Sequence, residues 1–489
     1  MRHVKSTLSA LRHDRRMPAA TLRTAASGAP VLDEKLLRSF DTPGPRYTSY
    51  PTADRFVEAF GPEDAVRALQ QRGHGAGMAA AAPLSLYVHV PFCESLCYYC
   101  ACNKVITRHH ERAAPYLDAL EHELGLVTAH LGRGQPVSQL HFGGGSPTFL
   151  SDAEIERLMA ALRAAFAIGE GAEASIEVDP RTVTPERLAF LRAAGFNRIS
   201  FGVQDFDARV QQAVHRVQSF DSVRELLQAA RTLGFQSINA DLIYGLPRQT
   251  PDSFARTIEL IGQLRPDRIA LYAYAHLPQR FKPQRRIHAA ELPLAAQRVA
   301  MLRDAIAGFH ARGYTYIGMD HFALPDDALA VAKRQGRLQR NFQGYSTQPD
   351  CDLVALGVSA IGRVGPAYYQ NAKTLPEYYD ALRQGSLPVQ RGIALGRDDL
   401  LRRAVIMAVM CQGRLEFDAI ELAHLVRMEE YFAEELRQLR PMADAGLIEF
   451  EPGAIQVTAT GWFVVRAIAM VFDRYLRSDR QRERFSRII

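Results

Sequence analysis

Between residues 84 and 274, short apolar runs alternate six times with amphipathic stretches, and this rhythm limits the fold more than any other feature. The strand-like runs cover 84–90, 139–142, 175–178, 198–203, 237–243 and 268–274. Helix-like segments fall between them, at 153–166, 185–194, 222–233 and 251–264 among others. Several open on good start signals: Ser151-Asp152, Thr184-Pro185 and Thr250-Pro251. Repeated strand–helix alternation predicts a mostly parallel sheet with right-handed crossovers. Six units fall short of the eight strands of a closed barrel, so the sequence predicts an α/β fold with a partial (β/α)6 barrel.

The unusual residues begin where each strand-like run ends, the carboxyl-end face on which α/β barrels place their chemistry. After about residue 365 the pattern changes. Helices are predicted at 375–383, 398–410, 428–445 and 461–476, with a hairpin around Glu451-Pro-Gly453. The expected organisation is a basic, disordered N-terminal tail over 1–35, a catalytic domain over 36–365 and a small, mainly helical domain over 366–489.

The net charge is +6, but residues 1–30 hold Arg2, Lys5, Arg12, Arg15, Arg16 and Arg23 against Asp14 alone. The remaining body is close to neutral, which argues against a dedicated nucleic-acid binder. The tail reads as a transit peptide or as a disordered extension, and the disordered reading is favoured. No apolar run is long enough for a membrane span.

Four of the six cysteines lie within ten residues: Cys93, Cys97, Cys100 and Cys102. Cys351 and Cys411 are isolated. Such clustering points to metal or catalysis rather than to a disulfide framework, and a reducing, cytoplasmic setting follows. Cys93, Cys97 and Cys100 have C-x3-C-x2-C spacing in a loop straight after a strand. Three thiolates can hold three irons of a [4Fe–4S] cubane and leave the fourth open. Structural zinc, or unrelated thiols, are the alternatives; zinc usually wants a second Cys/His pair, and none is visible. Cys102 is either a functional thiol beside the cluster or a small buried residue, and is not assigned as a ligand.

Beyond these cysteines, the chain closely resembles the oxygen-independent coproporphyrinogen III oxidases, radical S-adenosylmethionine (SAM) enzymes of haem synthesis. The resemblance runs from about residue 38. It rests on Gly44-Pro-Arg-Tyr-Thr-Ser-Tyr-Pro51, the stretch from Tyr87 to Lys104, His141-Phe-Gly-Gly-Gly-Ser-Pro-Thr148 and Glu177-Val-Asp-Pro180. It continues through Phe201-Gly-Val-Gln-Asp-Phe206, Asp241-Leu-Ile-Tyr-Gly-Leu-Pro247, Tyr274-Ala-His-Leu-Pro278, Phe281-Lys-Pro-Gln-Arg285 and Asn341-Phe-Gln-Gly-Tyr345. One departure is Ser146, where the family more often has Thr; the hydroxyl is kept.

The resemblance implies a radical SAM barrel with two SAM molecules. Tyr87, Gly143, Glu177 and Ile361 match positions that contact the cluster-bound SAM, and Tyr99 does so through its backbone. Gly144, Gly145, Gln204, Arg216, Asp241 and Ala275 match positions that hold a second SAM. A Gly triplet at a strand end permits close backbone approach, though a plain tight turn reads the same way. Glu177 and Asp241 can accept hydrogen bonds from a ribose or an ammonium, and Arg216 can pair with a carboxylate; taken singly, each reads equally as a loop-end charge.

The implied reaction converts two propionates of coproporphyrinogen III to vinyl groups through a 5′-deoxyadenosyl radical, giving protoporphyrinogen IX. The implied partners are a flavodoxin- or ferredoxin-like electron donor and an unidentified acceptor, and the implied state is a monomer. Candidate cations for the propionates are Arg46, Lys282, Arg285 and Arg286; a solvated basic loop is the other reading of the last three. A rival is a haem-binding chaperone on the same barrel. Such relatives typically carry Asp-Phe after the third cysteine, where this chain has Ala101-Cys102-Asn103-Lys104.

Overall fold

In the computed structural model, which describes residues 42–75, 82–319, 321–477 and 485, six parallel strands follow one another in sequence and in space. They are β1 (Leu84–Val90), β2 (Gln135–Gly144), β3 (Phe166–Val178), β4 (Arg198–Gln204), β5 (Ser237–Tyr244) and β6 (Arg268–Ala273). Helices α1 (Ala113–Leu131), α2 (Asp152–Ala165), α3 (Pro185–Ala193), α4 (Phe220–Thr232) and α5 (Pro251–Leu264) make the crossovers. The predicted start signals are real caps: the hydroxyls of Ser151, Thr184 and Thr250 each accept from the backbone N–H three residues on.

Each strand alternates with period two. Leu86, Val88, Leu140, Phe142, Ile176, Phe201, Leu242 and Leu271 are buried under the helices. The intervening Tyr87, His141, Ser175, Ser200 and Asp241 face the concave side, and register aligns them: Tyr87 opposite His141, His141 opposite Ser175, Glu177 opposite Ser200 and Gly202 opposite Asp241. The concave face is therefore largely polar, because most of the alternating residues on these strands are polar.

The sheet is larger than predicted. Thr315–Gly318 (β7) and His321–Ala323 (β8) extend it antiparallel beyond β6. At the other edge, Leu353–Leu356 (β9) runs parallel to β1, and Ile361–Val364 (β10), Ala367–Asn371 (β11) and Val389–Ala394 (β12) follow antiparallel. The sheet thus crosses the boundary expected at residue 365, and the change to helices falls after Ala394. These added strands are only three to six residues long, too short for a clear alternation in sequence.

Beyond β12 come helix Arg397–Met407, Phe417–His424 and Ala433–Asp444 around a three-stranded sheet: Arg414–Glu416, Ile448–Glu451 and Ala454–Val457. The helix predicted at 461–476 is broken into a 3-10 turn, Gly461–Val464, and helices Val465–Met470 and Arg474–Arg477. The Gly44–Pro51 segment ties this region down: the Tyr47 hydroxyl donates to Asp473 at 2.9 Å, and Arg466 donates to the Gly44 carbonyl at 2.5 Å. The basic tail over 1–35 lies outside the described residues. Among the described residues, no helix is long and apolar enough to cross a membrane.

Candidate functional site

The cysteine loop leaves β1 at its carboxyl end. It is pinned by backbone bonds from Val105 to Pro91, Thr107 to Cys93, and Gly145 to Val90. Cys93, Cys97, Cys100 and Cys102 line one cavity of about 160 Å³ together with Tyr99, Gly144, Gly145, Glu177, Gln204, Arg216 and Asp241. Strand ends far apart in sequence thus meet the loop, as the carboxyl-end argument expects. Gly143 and Ala275 stand behind this wall rather than on it.

The glycines have distinct reasons. Gly144 has φ +114°, and a Cβ there would sit 2.6 Å from the His89 ring; one on Gly145 would sit 2.6 Å from the Pro91 carbonyl. Gln204 adopts φ +68° without being glycine, a strained backbone of the sort that concentrates at functional sites.

Charge around the thiols is arranged. Cys97 accepts from Arg216 Nη1 at 3.4 Å and from Arg181 Nη2 at 3.5 Å. Asp179 pairs with both arginines, at 3.2 and 2.6 Å. Arg216, read from sequence as a partner for a cofactor carboxylate, is therefore already paired inside the protein. The hydrogen bond from Cys102, helped by Lys104, holds the Cys100 thiol down at about 6. Burial, then the neighbouring thiols, push Cys93 up to about 12. The three thiols ring the cavity without converging on a point: among the described residues, no three His, Cys, Asp or Glu groups are placed to share one metal ion. Thiols spaced around a void beside cationic donors fit the corners of a [4Fe–4S] cluster, which is held by thiolates and tuned by hydrogen bonds to sulfur.

A second, larger cavity of about 680 Å³ opens beside the first and shares Cys102, Gly144 and Glu177 with it. Tyr87 and Ile361 line it, with His89, Phe342 and Gln343. The Tyr87 hydroxyl donates to His89 Nδ1 at 3.0 Å, and His89 Nε2 donates to the Asn103 carbonyl at 3.1 Å. Burial holds that imidazole's pKa below its ordinary value, against the pull of the Asn103 carbonyl and Glu177. His141 bonds Glu177 at 3.1 Å, and the Gly144 N–H reaches it at 3.3 Å. Desolvation works against the Glu177 charge, but these donors hold its carboxyl below the usual range. Asp241 goes the other way, pushed up to about 6 by burial despite donors Ser200 and Asn239.

The sequence reading did not single out His89, Asp179, Arg181 or Gln284, although all lie inside the quoted motifs or beside them. Gln284 is buried and donates to the carbonyls of Tyr99 and Ala275, each at 3.1 Å. Of the cations suggested for the propionates, Arg285 donates to the Pro278 carbonyl and Arg286 stacks on Tyr98. With Lys282 they are exposed and off both cavity walls. Arg46 lies over the Tyr272 ring, which does line the larger cavity.

A parallel half-barrel with three thiolates at its carboxyl end defines a class, and the profile of the Radical SAM superfamily matches residues 87–261. The profile of the HemN C-terminal domain matches 395–464. The oxygen-independent coproporphyrinogen III oxidase of Pseudomonas aeruginosa is 50% identical over 462 residues, covering 94% of this chain and 98% of that one. That of Escherichia coli K12 is 49% identical over 457 residues, with the same shares covered. A solved structure of coproporphyrinogen III oxidase from Escherichia coli, described as a radical SAM enzyme, superposes with a TM-score of 0.85 at 48% identity, over 91% of this chain and 99% of that one. The chain belongs to the family of oxygen-independent coproporphyrinogen III oxidases. As a radical SAM enzyme it works with a [4Fe–4S] cluster and SAM, and the residues around the two cavities fit both.

Proposed function

We propose that the protein catalyses the oxygen-independent oxidative decarboxylation of two propionates of coproporphyrinogen III to vinyl groups, giving protoporphyrinogen IX in haem biosynthesis. The observation that carries this reading is near-complete alignment with the P. aeruginosa enzyme at 50% identity. A propionate β-carbon C–H bond has nothing beside it to acidify it, so ordinary acid–base groups cannot remove that hydrogen at neutral pH. When bound, the cluster and SAM together supply the carbon radical that takes the hydrogen atom.

The chain's own residues bind, orient and shield. Cys93, Cys97 and Cys100 would hold the cluster through their thiolates. Tyr87, Gly143, Glu177 and Ile361, with the Tyr99 backbone, hold the cluster-bound SAM; an ionised Glu177 is suited to accept from its ammonium or hydroxyl donors. Gly144, Gly145, Gln204, Arg216, Asp241 and Ala275 hold a second SAM. The sheet and the cysteine loop keep water from the reacting carbon. Each decarboxylation releases one carbon dioxide and leaves one electron for an acceptor. The donor to the cluster is a flavodoxin- or ferredoxin-like protein, and the enzyme works as a monomer in the cytoplasm without nucleic acid or membrane. The catalytic domain runs on through β12, and the helical domain begins near residue 395.

The test is anaerobic reconstitution with iron and sulfide, followed by SAM, a reductant, an electron acceptor and coproporphyrinogen III, with products followed by mass. Loss of two carbon dioxide units, abolished in Cys97→Ala together with the cluster's iron, is the expected result. SAM cleavage without decarboxylation would discard this substrate. Tight haem binding without a vinyl product would return the chaperone reading.

A further inference from the structure

The larger cavity is electrically polarised. At its inner end, beside the thiols, stands the ionised Glu177. On its wall stand Arg280 and Lys373, supplied by elements far apart in sequence. Arg280 lies on the loop after β6, and Lys373 lies between β11 and helix Leu375–Arg383 (α6). Arg391, on β12, stands just behind: its Nε donates at 2.8 Å to Gln370, whose side chain is also on the wall. The three cations feel one another. Burial and then Arg391 and Arg280 weaken the hold of Lys373 on its proton; on Arg391 burial acts the same way first, and Arg280 adds to it. The opposing acids are Glu58, felt by Lys373 and Arg391, and Asp54, felt by Arg391.

Among the described residues, none of the three forms an ion pair within 4.0 Å, whereas the arginines beside the thiols are paired with Asp179. Glu58 and Asp54 offset part of the charge from a distance, but no described carboxylate is in direct contact with the three cations, and an anion between them would relieve their mutual repulsion. Arg280 lies over the Phe281 ring and Arg391 over the Phe56 ring, while the Lys373 carbonyl accepts from Asn103 of the cysteine loop at 2.8 Å. The same cavity is also lined by Phe281, Phe342, Leu353, Ile361 and Tyr272, interspersed with polar groups such as Gln343 and Ser359.

On the substrate reading above, we propose that Arg280, Lys373 and Arg391 form a carboxylate-binding rim, which receives those propionates of the tetrapyrrole that are not reacting. The apolar and aromatic side chains of that cavity take the pyrrole body, and the acid at the inner end keeps the anchoring carboxylates at the rim. The rim orients the macrocycle so that one side arm reaches inward.

The test is equilibrium binding of coproporphyrin III, the stable oxidised tetracarboxylate, to the full-length cluster-loaded protein, followed by porphyrin fluorescence. Arg280→Gln and Lys373→Gln are each expected to raise Kd about tenfold, as loss of one charge-assisted contact does. Wild-type affinity is expected to fall as salt rises. The tetramethyl ester, which has no carboxylates, is expected to bind wild type and the Arg280→Gln/Lys373→Gln double variant equally. Arg256→Gln, on the outer face, controls for general loss of charge. Unchanged Kd in the double variant, equal weakening for acid and ester, or no saturable binding by the wild type would each overturn the rim. Because binding is read without turnover, failure of the decarboxylation assay leaves this test standing. Normal turnover with unchanged KM in the double variant would overturn the rim alone.

Discussion

The side-chain amide of Gln284 donates to the backbone carbonyl of Tyr99 at 3.1 Å, joining the loop after β6 to the peptide between two of the cluster-loop cysteines. The same nitrogen reaches the Ala275 carbonyl, and its oxygen accepts from the Leu277 N–H. Replacing Gln284 by Ala leaves three partly buried backbone groups without this partner, a cost of about 1 to 2 kcal/mol. The cysteine loop is expected to loosen, so that air bleaches the reconstituted cluster several-fold faster than in wild type. Gln284→Glu keeps the shape and the acceptor but not the donor. If it protected the cluster as well as wild type, the donor role would be wrong.

Glu123 on α1 is fully enclosed and accepts from the Gly357 N–H, Asn371 and the Tyr378 hydroxyl at 2.6 to 2.8 Å. It thereby holds the turn from Gly357 into the cavity-lining Ser359 and Ile361. Burial raises its carboxyl from 4.5 to about 7. Between those values the native state keeps a proton that the unfolded chain has released, so stability falls as pH rises through this window and levels off above it. The difference is about 3 kcal/mol. Unfolding free energies from denaturant titrations at about pH 5 and about pH 8 are expected to differ by about 2 to 3 kcal/mol more in wild type than in Glu123→Gln. Equal slopes would refute it.

Arg181 places a cationic donor 3.5 Å from the Cys97 sulfur. Hydrogen bonds and positive charge beside a cluster sulfur favour the reduced state. Arg181→Gln is expected to lower the cluster's reduction potential by about 60 mV, with iron content unchanged. A redox titration followed by electron paramagnetic resonance reads this directly, and an unshifted potential would assign Arg181 to holding Asp179 alone.

Gly144→Ala would bring a Cβ to 2.6 Å from the His89 ring at a backbone angle of +114°. The strain is about 2 kcal/mol, and the ring it displaces carries the hydrogen bond from Tyr87. SAM affinity is expected to drop at least about tenfold. Gly169→Ala, where a Cβ meets nothing within 4 Å, is expected to leave both stability and SAM binding as they are.

The six parallel strands and their helix caps were legible because each carries a long, local signal: period-two alternation, a Ser or Thr cap, a Pro at the helix start. The extra strands β7 to β12 were not, because short edge strands draw their pairing from neighbours already in place. The helix expected at 461–476 breaks for a related reason. Gly461 packs directly on the Leu447 carbonyl, and Arg466 turns inward to the Gly44 carbonyl, contacts that only the assembled fold defines.

The sequence by itself determined the class of chemistry. Three cysteines at C-x3-C-x2-C spacing, and a string of motifs at successive strand ends, are covalent and local facts that need no fold to be read. Only the tertiary structure decided which charges meet. Arg216 became a partner of Asp179 and Cys97, Lys282, Arg285 and Arg286 went to the outside, and Arg280 and Lys373 met on one cavity wall with Arg391 behind it. Electrostatic partnership depends on distance through space, and residues 280, 373 and 391 become neighbours only when the loop after β6 meets the β11–β12 edge of the sheet.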